Sequence, residues 1–140
     1  MTTETLRSIT LTRTGPCEYE ASNGRGGRLT LSSGETPHFT PVELLLTAMA
    51  GCSAVDVDLL TARLAEPTRF DVAAEAEKVR DEHGNHLGEV AITFTVRFPD
   101  GAEGDAARTR LPDAVARSRD RLCTVSRTVQ LPTPVSYATT

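Results

Sequence analysis

The chain has 140 residues, with 15 basic and 19 acidic side chains for a net charge of −4, 39% apolar residues, four Phe, two Tyr and no Trp. This length suits one domain spanning residues 1–140, while the mixed charges and scarce aromatics exclude a nucleic-acid surface built on basic tracts and base stacking. The three cysteines, Cys17, Cys52 and Cys123, and three histidines, His38, His83 and His86, show no CxxC and no metal-ligand spacing, so no metal is expected.

The odd cysteine count and the lack of a secretory signal point to a reducing cytoplasm, where a cysteine pair is more often redox-active than structural.

In chain order, Ile9, Leu11 and Arg13 alternate with threonines, and Gly15-Pro16 turns the chain. Cys17 to Ala21 forms a second strand, and the Asn23-Gly24 and Gly26-Gly27 pairs turn it into a third carrying Leu29 and Leu31. Thr40-Pro41-Val42-Glu43 is a helix start. Thr40 and Glu43 can cap one another's backbone amides, and Pro41 occupies the first helical position, where its missing N–H costs nothing.

The helix is expected to run to about Ala65, ahead of Pro67. No charge falls between Leu44 and Val55, and apolar or small side chains occupy nearly every angle around it. A helix apolar all round must be covered all round. The uncharged run of 12 residues, ended by Asp56 and Asp58, is short of the ~20 needed to cross a bilayer, so no membrane is expected.

Phe70, Val72, Ala74 and Ala76 share one face of a strand over Arg69 to Val79, and Asp81 to Gly88 reads as a loop. Val90, Ile92, Phe94, Val96 and Phe98 alternate without a miss and pair with that strand as a long hairpin. A second helix places Leu111, Ala114, Val115, Ser118 and Leu122 on one face, with Pro112 at its start or at a kink. A final edge strand, Thr128 to Tyr137, is expected despite Pro132 and Pro134. The order βββ-α-ββ-α-β gives an α+β fold with antiparallel sheets. One small sheet covers only one side of the first helix, so a two-fold homodimer, with two such helices wrapped by two sheets, is inferred from burial.

Cys52 lies three turns into the first helix, beyond useful reach of its dipole. Taken alone, it reads as a small core residue or as a site. Arg119 and Arg127 flank Cys123 at four-residue spacing. They favour thiolate if the helix continues through Thr124-Val125-Ser126, and otherwise mark a solvated helix end.

The segment TPVELLLTAMAGCSAVDV, followed some 70 residues later by LCTVSRTV, resembles the OsmC/Ohr family of thiol-dependent hydroperoxide reductases over most of the chain. The resemblance implies an intertwined homodimer with central helices and a site at the subunit interface. It casts Cys52 as the thiol that attacks an organic hydroperoxide and Cys123 as the resolving thiol. A dihydrolipoyl-type dithiol would be the reductant, with no cofactor or metal required.

In the hydroperoxide-reductase branch of that family, a Glu directly after the helix-starting Pro pairs with an Arg of the N-terminal meander. Here Val42 follows Pro41. Glu43, nine residues before Cys52, points to the opposite helix face and is assigned to the cap. Cys17 falls nearest the place of the family Arg, with Arg25 and Arg28 further on, and the ELLL and GCSAVDV segments fit the OsmC-like branch better. Asp56 shares the face of Cys52 and disfavours thiolate, so Arg127 or Arg119, from either subunit, is the expected thiolate support. The expected function is a two-cysteine peroxidase acting in oxidative-stress defence; the alternative is a non-enzymatic dimer that binds an apolar ligand or is purely structural.

Overall fold

A computed structural model of the protein describes residues 5–140. Packing divides the chain into two compact units that meet in sequence at Leu45 and Leu46.

The first unit is an antiparallel meander of β1 (Thr10–Gly15), β2 (Glu18–Ser22) and β3 (Arg28–Ser32), in that order across the sheet. Gly15, Pro16 and Cys17 make the expected turn, where Cys17 takes a φ of 52°, the left-handed region that favours glycine. The cap expected at Thr40 is formed reciprocally. The Thr40 amide donates to Glu43 Oε1 at 2.9 Å, and the Glu43 amide donates to Thr40 Oγ1 at 3.2 Å.

From that cap runs α1 (Pro41–Thr61), of 21 residues. Its buried residues, Met49, Ser53, Val57 and Thr61, recur every four positions and form one stripe. Val42, Leu45, Val55 and Leu59 are exposed. The helix is longer than its uncharged centre. Among the described residues it is the one helix long and apolar enough, by length and composition alone, to cross a membrane.

In the second unit, β4 (Arg69–Glu75) pairs antiparallel with β7 (Ala91–Arg97), from Arg69 opposite Arg97 to Glu75 opposite Ala91. That is the expected hairpin, but its polar tip is not a loop. Residues 78–87 fold back as a small hairpin of β5 (Lys78–Asp81) and β6 (Gly84–Leu87), with His86 on the second strand. Glycine makes the reversal possible, since Gly84 has a φ of 126°, and the Asp81 carboxylate accepts the His83 amide at 2.8 Å. Ala65, Val96, Phe98 and Ala107 form the buried core here, with Phe70, Phe94 and Leu111 packed on it. The rings of Phe70 and Phe94 meet edge to face at 6.3 Å.

Helix α2 (Ala102–Arg117) starts ten residues before Pro112, which sits inside it. Gly101 leads in, Glu103 and Asp105 occupy the acidic first turn, and Gly104 lies so close to the Pro99 carbonyl that a Cβ would collide with its oxygen. A π-helical turn (Ser118–Leu122) follows, and the chain extends at Cys123 before α3 (Thr124–Gln130). The expected last strand, Thr128 to Tyr137, is therefore not formed. Its first residues complete α3, where Thr128 Oγ1 donates to the Thr124 carbonyl at 2.7 Å, and the segment around Pro132 and Pro134 has no regular structure. The order is βββ-α-ββββ-α-α, an α+β fold with antiparallel sheets.

Candidate functional site: two thiols and a carboxylate

Cys52 and Cys123 stand 71 positions apart in sequence, yet their sulfurs and a carboxylate oxygen of Asp56 all lie within 4.8 Å of one another. Helix geometry presents two of the three. Cys52 and Asp56, four residues apart on α1, lie one turn above the other on a single face. The third comes from the break between the π-helical turn and α3. At Cys123 the backbone is extended, with φ −75° and ψ 101°, and the residue caps α3, its sulfur accepting the Ser126 amide at 3.4 Å. Cys123 is buried at 3% exposure and Cys52 is half-buried, so a molecule arriving from solvent reaches Cys52 first.

Around this trio are serines. Ser118, 1% exposed, donates its hydroxyl to Asp56 Oδ2 at 2.8 Å. Ser53 and Ser126, both buried, hydrogen-bond Cys123. The three serines escaped notice as site residues, although the sequence carries a signal for Ser118: a hydroxyl at an inward helical position among Leu111, Ala114 and Val115.

The two thiols differ in proton affinity. Burial pushes the Cys52 thiol up, and the adjacent Cys123 sulfur and the Asp56 carboxylate push the same way, against one bond from the Val125 amide. Burial also raises Cys123, but hydrogen bonds from Ser126, Cys52 and Ser53 outweigh it and hold that thiol below its ordinary value. As a coupled pair they share their charge. Of the two, the buried sulfur gives up its proton more readily than the accessible one.

The continuous stripe of Arg119, Cys123 and Arg127 is interrupted, because the path is not helical at Cys123. Arg119 instead grips the neighbouring Asp120 with two bonds, at 2.7 and 3.2 Å, and Arg127 is exposed on α3. Glu43 is engaged with Thr40 in the helix cap, as expected. A nearby cavity of about 570 Å³ is lined mainly by Met49, Val90, Ile92, Phe94, Val115 and Val129, with Glu89, Arg119 and Gln130 also on its wall. Ser53 and Ser126 line the cavity too, which joins it to Cys123.

Fold and site together define an α+β protein with a paired-thiol centre next to an apolar cavity. The model of the OsmC-like protein family matches residues 33–138, so both cysteine segments lie within the match, and the chain belongs to that family. Among solved structures, it is similar to an OsmC-like protein of unknown function from Vibrio cholerae, with a TM-score of 0.74 at 12% identity over 90% of this chain and 94% of that one. An organic hydroperoxide resistance protein of Legionella pneumophila gives 0.58 at 18% identity, covering 89% and 90%. The organic hydroperoxide resistance protein OhrB of Bacillus subtilis gives 0.54 at 14%, covering 88% and 90%. At these identities the likeness is one of fold. No curated protein matches the chain.

Proposed function

We propose that the protein is a thiol-dependent peroxidase that reduces organic hydroperoxides with Cys52 and Cys123, working as a two-fold homodimer. One observation carries the reading: two thiols distant in sequence meet, one accessible and one buried, with sulfurs within 4.8 Å. The hydroperoxide resistance named for two structures of the same fold supports the choice of substrate class, and the apolar cavity beside the thiols supports an apolar substituent on the peroxide.

The cycle begins with proton transfer from the Cys52 thiol to the Cys123 sulfur, which places the anion where peroxide arrives. The Cys52 thiolate attacks the distal peroxide oxygen. The O–O bond breaks, the leaving alkoxide takes a proton from solvent to become the alcohol, and Cys52 becomes a sulfenic acid. The Cys123 sulfur then attacks that of Cys52, the S–S bond forms as the S–OH bond breaks, and hydroxide departs as water with the proton that Cys123 had taken. A dithiol of the dihydrolipoyl type restores both thiols by exchange.

One equivalent of cumene hydroperoxide added to the reduced, metal-free protein should consume two of its three thiols, and Cys52→Ser or Cys123→Ser should prevent disulfide formation. Three surviving thiols would defeat the peroxidase. The cavity would then favour the second reading, a non-enzymatic family member that binds an apolar ligand.

A further inference from the structure

We infer that Cys52, Cys123 and Asp56 form a binding site for a thiophilic divalent cation, zinc in the first instance, held by two thiolates and one carboxylate oxygen. The donors converge to within 4.8 Å of one another. Tetrahedral zinc, with Zn–S of about 2.3 Å and Zn–O of about 2.0–2.2 Å, needs donors about 3.5–3.8 Å apart, so side-chain adjustments on the order of an ångström close the set. Cys52 and Asp56 are four residues apart on α1, the spacing at which a helix offers two ligands on one face. Cys123 comes from a separate element, so the chelate ring spans the fold.

The carboxylate also has the support expected of a ligand. Ser118, itself buried, donates to Asp56 Oδ2 at 2.8 Å, which orients the carboxylate as an outer-shell partner orients a ligand. Two sulfurs select zinc over magnesium or calcium, and the harder carboxylate disfavours monovalent copper. With three protein donors the fourth position is open, and the half-buried Cys52 marks the side of entry. A spacing search for Cys and His pairs passes over this site because its third donor is an aspartate and its second thiol is remote in sequence.

The same donors explain why a carboxylate stands against two thiols. Without a cation, three potential anions crowd one small volume; with one, each contributes attraction. Metal and disulfide exclude one another, since both use the same two sulfurs.

The test is an anaerobic titration of the full-length reduced protein with Co²⁺ and then Zn²⁺. One equivalent of Co²⁺ should give a thiolate-to-cobalt charge-transfer band with the intense visible spectrum of tetrahedral coordination, and Zn²⁺ should abolish it. Bound zinc should protect Cys52 and Cys123, but not Cys17, from alkylation. Asp56→Asn, which keeps the side chain's shape, should weaken zinc about 100-fold, and Ser118→Ala about 10-fold. No charge-transfer band, a weak octahedral spectrum, or unaltered affinity in Asp56→Asn would overturn the inference. The peroxide test is run with chelator and this one without peroxide, so either reading can fail while the other stands.

Discussion

At the scale of single residues, Asp56 is the group on which the site turns. Its charge is one of the causes that raise the proton affinity of Cys52, so Asp56→Asn should move the Cys52 alkylation profile towards lower pH and quicken the reaction at neutral pH. Mass spectrometry of the Cys52 peptide across a pH series measures this, and an unmoved profile would remove Asp56 from the electrostatics. Ser118 is a second lever. It gives Asp56 a hydrogen bond across 62 positions of sequence, and a bond to a charged group contributes about 1.5–3 kcal/mol. Ser118→Ala should lower unfolding free energy by that order in urea, with the loss shrinking in an Asp56→Asn background.

The membership of Cys52 and Asp56 on one face was legible in the sequence, because helical spacing fixes it. The approach of Cys123 was not, because no local rule specifies a contact across 71 positions. The helical stripe expected to bring Arg119 and Arg127 together does not survive the extended backbone at Cys123.

At the scale of elements, chemistry that is local in sequence was the most readable. The cap at Thr40 and Glu43 needs only four residues and is formed. Thr40→Ala should cost about 1 kcal/mol, measured as a lowered midpoint in urea. The backbone amide of Thr40, followed by its hydroxyl, holds the Glu43 carboxyl below its ordinary value. That contribution is complete above the ordinary glutamate range and is lost as the pH falls through the lowered value, so the penalty of Glu43→Gln should shrink in acid. The second helix was misjudged at its start because Pro112 is a strong breaker by itself, whereas Gly101 and the acidic turn after it outweigh that preference.

Gly104 adds a constraint that a one-dimensional reading cannot contain. The oxygen of Pro99 occupies the place of its Cβ, and that neighbour is backbone. Gly104→Ala should therefore destabilise the protein by about 1–3 kcal/mol despite the better helix propensity of alanine. Stability equal to or above that of the parent would show that the α2 entry shifts freely. The last strand was lost to a similar competition. Val129, Leu131, Val135 and Tyr137 alternate, but the cap at Cys123 and the bonds of Thr128 and Gln130 back along the chain commit its first residues to a helix.

At the scale of the whole molecule, the proposed dimer follows from what α1 leaves uncovered. At ~100° per residue, Met49, Ser53, Val57 and Thr61 spread over one side of the helix, and these are its buried residues. Leu45, Val55 and Leu59 fall on an adjoining sector, where Val55 is 59% and Leu59 70% exposed. Cys52 falls within that exposed sector, between Leu59 and Leu45, and Asp56 lies at its border with the buried stripe. A second copy of α1 laid against the exposed sector would cover its apolar side chains and bring a partner surface to the rim of the thiol site. Leu59→Glu places a charge in that contact while leaving the buried stripe and both thiols in place. The parent should sediment at twice the 15.0 kDa chain mass, and the variant should shift towards the monomer, more so on dilution. Because the proposed partner surface stands at the edge of the site, the monomeric variant should also react with cumene hydroperoxide more slowly while forming the same intramolecular disulfide. A parent that sediments as a monomer would refute the dimer and leave the intramolecular thiol chemistry to be judged separately.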